Sequence, residues 1–103
     1  MYILVGKTLD VRLEEPTDFK RFHLEVAHPA TAAEKIGAAL AGLATLDDTG
    51  HAWVSAARLR AWPGIGTDPA FRDGLAKMIE KAKPYGWIDE SNDAIKAHIK
   101  WQS

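Results

Sequence analysis

The chain has 103 residues, of which 47% are apolar and 26% charged, and it contains no cysteine. This size and composition are typical of one soluble globular domain and exclude a disordered or collagen-like chain. Because there is no cysteine, disulfides, thiolate zinc sites, iron–sulfur clusters and cysteine nucleophiles are excluded as well. We therefore expect a single domain over residues 1–103.

Charge is close to balanced, with 13 Lys and Arg against 14 Asp and Glu. Residues 1–50 hold five basic and eight acidic residues, whereas residues 51–103 hold eight and six. A strong nucleic-acid binder usually carries a concentrated basic stripe, which this composition does not indicate. The apolar run at residues 1–6 is too short for a signal peptide or a membrane span, so we expect a cytoplasmic protein with no membrane partner.

The first part of the chain has the alternation of β-strands. Residues 2–5 form an apolar run typical of a strand covered on both faces, and residues 9–14 and 22–26 alternate with period two. The spacing of Phe22 and Val26 also suits a helix. We expect a small N-terminal antiparallel sheet over residues 2–27.

A helix is expected after this sheet. Thr31 and Glu34 have the spacing of a capping box, and Ile36, Leu40 and Leu43 then recur at helical intervals. The polar residues 47–50 would end this helix. Gly37 and Gly42 lower helix propensity inside it, which favours close packing of another element against them.

Four further elements are expected in the second half: a strand at 51–54, helices at 56–62 and 69–83, and a hairpin at 86–101. Ser55 and Asp68 are suited to cap the two helices, and Pro69 stands at the first helical position of the second. The hairpin is indicated by the alternation of residues 94–101 after the polar turn at 90–93.

This order of elements, together with Tyr85-Gly86-Trp87-Ile88 between helix and hairpin, resembles the winged-helix fold over about residues 31–101. The resemblance implies an α+β domain in which a three-helix unit with a C-terminal β-hairpin follows the small N-terminal antiparallel sheet. Helices 56–62 and 69–83 would form a helix-turn-helix, and residues 86–101 would form the wing.

In winged-helix proteins that bind DNA, the second helix enters the major groove and the wing touches the backbone. By position, the resemblance gives these candidate contacts to DNA or to a protein partner: Arg58, Arg60, Arg72, Lys77, Lys96, His98, Lys100 and Trp101. Asp73 and Glu80 share the helix face with Arg72 and would weaken its attraction to phosphates.

Because the surface charge is near neutral, we expect a non-catalytic module for protein interaction or self-association. Strand 2–5, if it lies at a sheet edge, would pair two copies in a homodimer. Four tryptophans in the second half suit an interface, although we expect most of them in the core, with Trp101, near the end of the hairpin, as the first candidate for an exception. The alternative is a DNA-binding regulator, and a weaker alternative is an enzyme with a pocket between sheet and helices.

No catalytic, cofactor or metal site is expected. His23, His28, His51 and His98 lack the spacing of metal ligands. Residues 64–66 lack the third glycine of a dinucleotide loop and the lysine of a phosphate loop, and so indicate a turn. Ser55 is better explained as a helix cap than as a nucleophile.

Overall fold

A computed structural model describes residues 1–47 and 50–102. Within these residues, seven strands form one mixed sheet, and three helices accompany it. The strands are β1 Tyr2–Val5, β2 Val11–Glu14, β3 His23–Val26, β4 Ala44–Leu46, β5 His51–Ser55, β6 Ile88–Asp89 and β7 Ala94–Trp101. The helices are α1 Ala33–Ala39, α2 Ala56–Arg60 and α3 Pro69–Ala82, with 3-10 turns at Ala30–Ala32 and Lys83–Tyr85. The strand order is β2-β1-β3-β7-β5-β4, and β6 also pairs with β7.

The N-terminal strands are not the small antiparallel sheet expected from the sequence. β1 pairs with β2 antiparallel and with β3 parallel. The loop of residues 15–22 returns past the start of β1, where the Met1 ammonium donates to the carbonyl oxygens of Asp18 (2.5 Å) and Arg21 (3.0 Å). β3 therefore begins beside the first residues of β1 and runs in its direction. Because β1 is paired on both sides, the expectation that it lies at a sheet edge is wrong.

The strand expected as part of a wing is central to the sheet. One edge of β7 pairs antiparallel with β5, and the other edge is shared by β6 at Ile95 and by β3 at Ile99. A wing is a hairpin that projects from a helical unit, whereas β7 joins strands from both ends of the chain. The winged-helix resemblance is therefore wrong, and so is the expected three-helix unit: the domain is dominated by its sheet.

The first helix is much shorter than expected, with seven residues. Thr31 lies in the 3-10 turn before α1, and the N-cap residue Ala32 makes no side-chain hydrogen bond, so the capping box is absent. After α1 the chain turns at Gly42, where φ is +85°, and enters β4. Asp48 and Thr49, where the expected helix would have ended, lie outside the described residues.

The other two helices begin where the sequence indicated. The Ser55 hydroxyl accepts from the backbone N–H of Arg58 at 3.2 Å, and the Asp68 carboxylate accepts from that of Ala70 at 3.3 Å. α3 is the longest helix at 14 residues. No helix within residues 1–47 and 50–102 is long and apolar enough to cross a bilayer.

The core lies between one face of the sheet and the helices. Alternate residues of the central strands are buried in one cluster with Ile36 of α1, Leu59 of α2, and Phe71 and Leu75 of α3. The sheet contributes Ile3, Val5, Leu24, Val26, Ala52, Val54, Ile95, Ala97 and Ile99. Because strand side chains alternate, the intervening residues of β1, β3, β5 and β7 stand on the opposite face, which we call the open face.

Close packing against a glycine occurs at Gly74 in α3 and not at the two glycines where we expected it. A Cβ on Gly37 would have only Leu46 Cδ1 nearby, at 3.8 Å, and Gly42 lies in the turn after α1. A Cβ on Gly74 would collide with the ring of Phe19, which in turn packs against Phe71. Gly74 thus allows the loop of residues 15–22 to lie against α3.

We predict opposite effects for alanine at these two helical glycines. Gly74→Ala should lower the free energy of unfolding by about 1 kcal/mol or more, since overpacking outweighs the gain in helix propensity. Gly37→Ala should raise it by about 0.5–1 kcal/mol, because nothing opposes that gain. Urea denaturation measures both, and stabilisation by both substitutions would contradict the close approach of Phe19.

Candidate functional site

A surface depression, which we call the edge groove, runs between the loop of residues 15–22 and the segment of residues 78–87. It encloses about 630 Å³. Its lining residues are Phe19, Lys20, Arg21, Phe22, Met78, Lys81, Ala82, Pro84, Tyr85, Trp87, Ile95 and Lys96. The end of α3, the beginning of the β6 hairpin and β7 thus all contribute to one site.

The edge groove follows from the way two short strands share one edge of β7. β3 pairs with β7 only from His98 onward, while β6 pairs with Ala94 and Ile95. Between them the backbone N–H of Lys96 donates to the carbonyl of Trp87 at 2.7 Å. The segments that lead into β3 and β6 approach this edge from opposite directions and form the two walls.

Two aromatic rings stand exposed on one wall of the edge groove. Tyr85 is 69% exposed and Trp87 is 49% exposed, and their rings stack with centroids 4.7 Å apart. Gly86 between them has φ of +76°, a conformation that glycine adopts without strain. Exposed apolar side chains of this size that lie together often mark an interaction site.

The edge groove is also positively charged. Its described lining includes Lys20, Arg21, Lys81 and Lys96 but no carboxylate. Among the acidic residues nearby, Glu80 and Glu90 pair with Lys83 at 2.9 Å and 3.6 Å, and the Asp18 carboxylate accepts from the backbone N–H of Lys20 at 3.1 Å. The hydrogen bond and charge of Glu80 raise the pKa of Lys83. The lining therefore favours an anionic occupant with apolar or planar groups.

A smaller pocket continues the edge groove onto the open face of the sheet. This imidazole pocket encloses about 210 Å³ and is lined by Phe22, His51, Trp87, Lys96 and His98. The rings of His51 and His98, which are paired across β5 and β7, meet edge to face with centroids 5.8 Å apart. The Lys96 ammonium lies 5.9 Å from the ring centroid of Trp53.

The same row of the open face continues onto β3 and β1. His23 stands opposite His98 in the register, and its ring stacks on that of Tyr2 at 4.8 Å. Burial lowers the pKa of His23, although a hydrogen bond to Glu25 at 3.4 Å opposes the shift. Three imidazoles and a phenol thus form a row across four strands.

The candidate residues from the helices do not lie in the edge groove. Arg60 pairs with Asp93 at 2.8 Å, and Lys77 pairs with Asp73 at 3.1 Å on α3. Arg72 donates to the carbonyls of Gly66 (2.6 Å) and Arg60 (3.0 Å), which holds the loop before α3. Arg58 is exposed in the last turn of α2.

The candidates from β7 are divided among several sites. Lys96 lines both the edge groove and the imidazole pocket, and His98 lines the pocket. Lys100 stands one position further along the open face, opposite Glu25, while Trp101 packs partly against the core. A role for any of them in binding a partner stays a prediction.

Sequence reasoning missed the aromatic and basic residues of the two walls. Of the four tryptophans, expected mostly in the core, Trp87 is the most exposed, whereas Trp101 is half-buried. Tyr85-Gly86-Trp87, with two aromatic residues around one glycine, was the available signal. No protein-family model, no curated protein and no solved structure matches the chain, so its function is inferred from the edge groove and the pocket beside it.

We predict that Arg72 stabilises the fold. Arg72→Ala should lower the free energy of unfolding by about 1–2 kcal/mol, because the carbonyls of Gly66 and Arg60 lose their charged donor. Lys77→Ala, which breaks only an exposed ion pair on the same helix, should change it by less than about 0.5 kcal/mol. Urea denaturation gives both values, and equally small losses would contradict this role of Arg72.

We also predict that His23 makes stability depend on pH. Its lowered pKa means that the unfolded state binds more protons than the folded state as pH falls below the usual value of 6.5. Stability should therefore decrease from pH 7.5 to pH 5, and His23→Gln should reduce the decrease. Thermal unfolding at several pH values measures it, and parallel profiles for the two proteins would contradict the prediction.

Proposed function

We propose that the protein is a non-catalytic binding module, and that its edge groove binds an acidic segment of a partner protein. The observation that carries this proposal is the composition of the lining. Four cations and four aromatic rings line the edge groove, with no carboxylate among the described residues. A segment that carries carboxylates and apolar side chains is complementary to this surface in both respects.

The aromatic rings supply anchoring area for such a segment. Tyr85 and Trp87 already stack on each other, so little side-chain entropy is lost when a partner covers them. Tyrosine, tryptophan and arginine are the residues most enriched at interaction hot spots. Arg21 and the Tyr85–Trp87 pair lie on opposite walls of the edge groove, so a bound chain segment would contact both.

A protein segment fits the charge pattern better than a nucleic acid does. Beyond the edge groove, the open face alternates in sign: Lys100 stands opposite Glu25, and Arg12 lies two residues from Glu14 on β2. A phosphate backbone needs a continuous positive track, which this pattern interrupts. The DNA-binding alternative also depended on a wing that the fold does not contain.

The remaining alternatives have less support. Self-association through β1 needs an unpaired edge, whereas β1 pairs with β2 and β3. The enzyme alternative needs a pocket between sheet and helices, and that layer is filled by buried side chains such as Leu24, Phe71 and Leu75.

Charge reversal on α3 tests the proposal. We expect a fluorescein-labelled 12-residue peptide of glutamate and leucine to bind the protein, with an affinity that falls as salt is added. Lys81→Glu should weaken binding by about tenfold, because it places a carboxylate in the edge groove. Lys77→Glu is the matched control on the same helix and should weaken it by less than about twofold. Fluorescence anisotropy measures each Kd.

Three outcomes would contradict this function. They are equal effects of Lys81→Glu and Lys77→Glu, tighter binding of an oligothymidine than of the peptide, and dimerisation that Lys81→Glu abolishes in sedimentation velocity. The second outcome would assign the edge groove to single-stranded nucleic acid, and the third would assign it to a second copy of the chain.

A further inference from the structure

We infer that the imidazole pocket binds a phosphorylated side chain of the partner segment, with the phosphoryl group against Lys96 and His98. This inference rests on the proposed function, because the pocket opens from the edge groove. Phe22, Trp87 and Lys96 line both. A segment that lies in the edge groove therefore passes the mouth of the pocket.

The donors around the pocket suit a phosphate monoester. Lys96 offers an ammonium with three N–H donors, and His98 contributes the nitrogens of its ring. A phosphoryl group carries nearly two negative charges and three acceptor oxygens, so it matches several converging donors better than a single carboxylate does. No carboxylate is present among the described residues that line the pocket.

The surroundings keep the Lys96 ammonium on the open face. It lies over the ring of Trp53, a cation–π contact that leaves its N–H groups available to an anion. The carboxylate on the neighbouring strand β3, Glu25, bonds to His23 and stands opposite Lys100, one row away from His98. Glu25 therefore does not line the pocket, and Lys96 is the lysine among its described lining residues.

The size and walls of the pocket favour one aromatic side chain. Its volume of about 210 Å³ lies below the roughly 300–1,000 Å³ of pockets that enclose drug-sized ligands. Two of its five lining residues, Phe22 and Trp87, are aromatic. A phosphorylated tyrosine can place its ring against these two and its phosphoryl group against Lys96 and His98, which makes it the occupant that we test.

The experiment compares two labelled 12-residue peptides of glutamate, leucine and one tyrosine, which differ only in phosphorylation of the tyrosine. We expect phosphorylation to lower Kd by about tenfold. His98→Gln and Lys96→Gln should reduce the ratio of the two Kd values, unphosphorylated to phosphorylated, to less than about threefold. Lys100→Gln is the matched control on the same face of β7 and should keep the full ratio. Circular-dichroism melts of each variant exclude effects of unfolding.

The ratio and the absolute affinity report on different sites. The Kd of the unphosphorylated peptide, and its increase in Lys81→Glu, report on the edge groove. The ratio of the Kd values of the two peptides reports on the pocket. A ratio near one, or a full ratio in both His98→Gln and Lys96→Gln, overturns this inference and leaves the proposed function standing. If only the phosphorylated peptide binds, and His98→Gln abolishes this binding, the proposed function of the edge groove is wrong and the inference about the pocket is supported.

Two competition arms identify the source of the phosphoryl group. Phosphotyrosine should displace the phosphorylated peptide at lower concentrations than inorganic phosphate does, because only the amino acid brings a ring to Phe22 and Trp87. Equal displacement by inorganic phosphate would assign the pocket to a free anion. Stronger displacement by an oligothymidine would assign it to nucleic acid. Either result overturns the inference.

Discussion

The architecture depends on the eight-residue strand β7. Ile95, Ala97 and Ile99 point into the core, while Lys96, His98 and Lys100 stand on the open face. β7 is also the strand that joins the N-terminal group β2-β1-β3 to the group β5-β4, since it pairs with a member of each. Without it the core face would be two separate pieces, and the two-stranded piece β5-β4 would be marginally stable at best in water.

The candidate site is a direct result of this arrangement. The edge of β7 that faces away from β5 is longer than either partner on that side, so β3 and β6 each cover part of it. The chain segments that enter these two strands bring Phe22 and Trp87 towards the same region of β7. The aromatic and basic side chains of the edge groove thus come from three segments that are distant in the sequence, and no single local motif covers all three.

Local signals in the sequence were sufficient for several elements and insufficient for their arrangement. Asp68 and Pro69 define the start of α3, and the alternation at 94–101 defines β7, because both depend on neighbouring residues alone. Alternation shows which side chains are buried but not which strand lies beside them. The pairing of Leu24 with Ile99, for example, joins residues separated by most of the chain length. For this reason the sequence predicts the β6–β7 hairpin but not the position of β7 in the middle of the sheet.

Two other errors have similar causes. Ile36, Leu40 and Leu43 are all buried, as a helical stripe would be, but a turn at Gly42 brings the last of them into the core without a helix. β4 has only three residues, too few for any periodicity to be detected. Lys96 and His98, which the sequence places on a wing, belong to the site for a different reason, whereas Lys20 and Arg21 lie in an irregular loop that gives no periodic signal.

The late position of β7 in the chain has a consequence for synthesis. While a nascent chain grows on the ribosome, β3 and β5 emerge before the strand that pairs with both of them. Each then presents a row of unpaired backbone groups, the kind of edge on which other chains assemble. The sheet cannot be completed until residues 94–101 leave the ribosome. Before that point the unpaired edges of β3 and β5 can bind other chains or chaperones, and the risk of aggregation is highest.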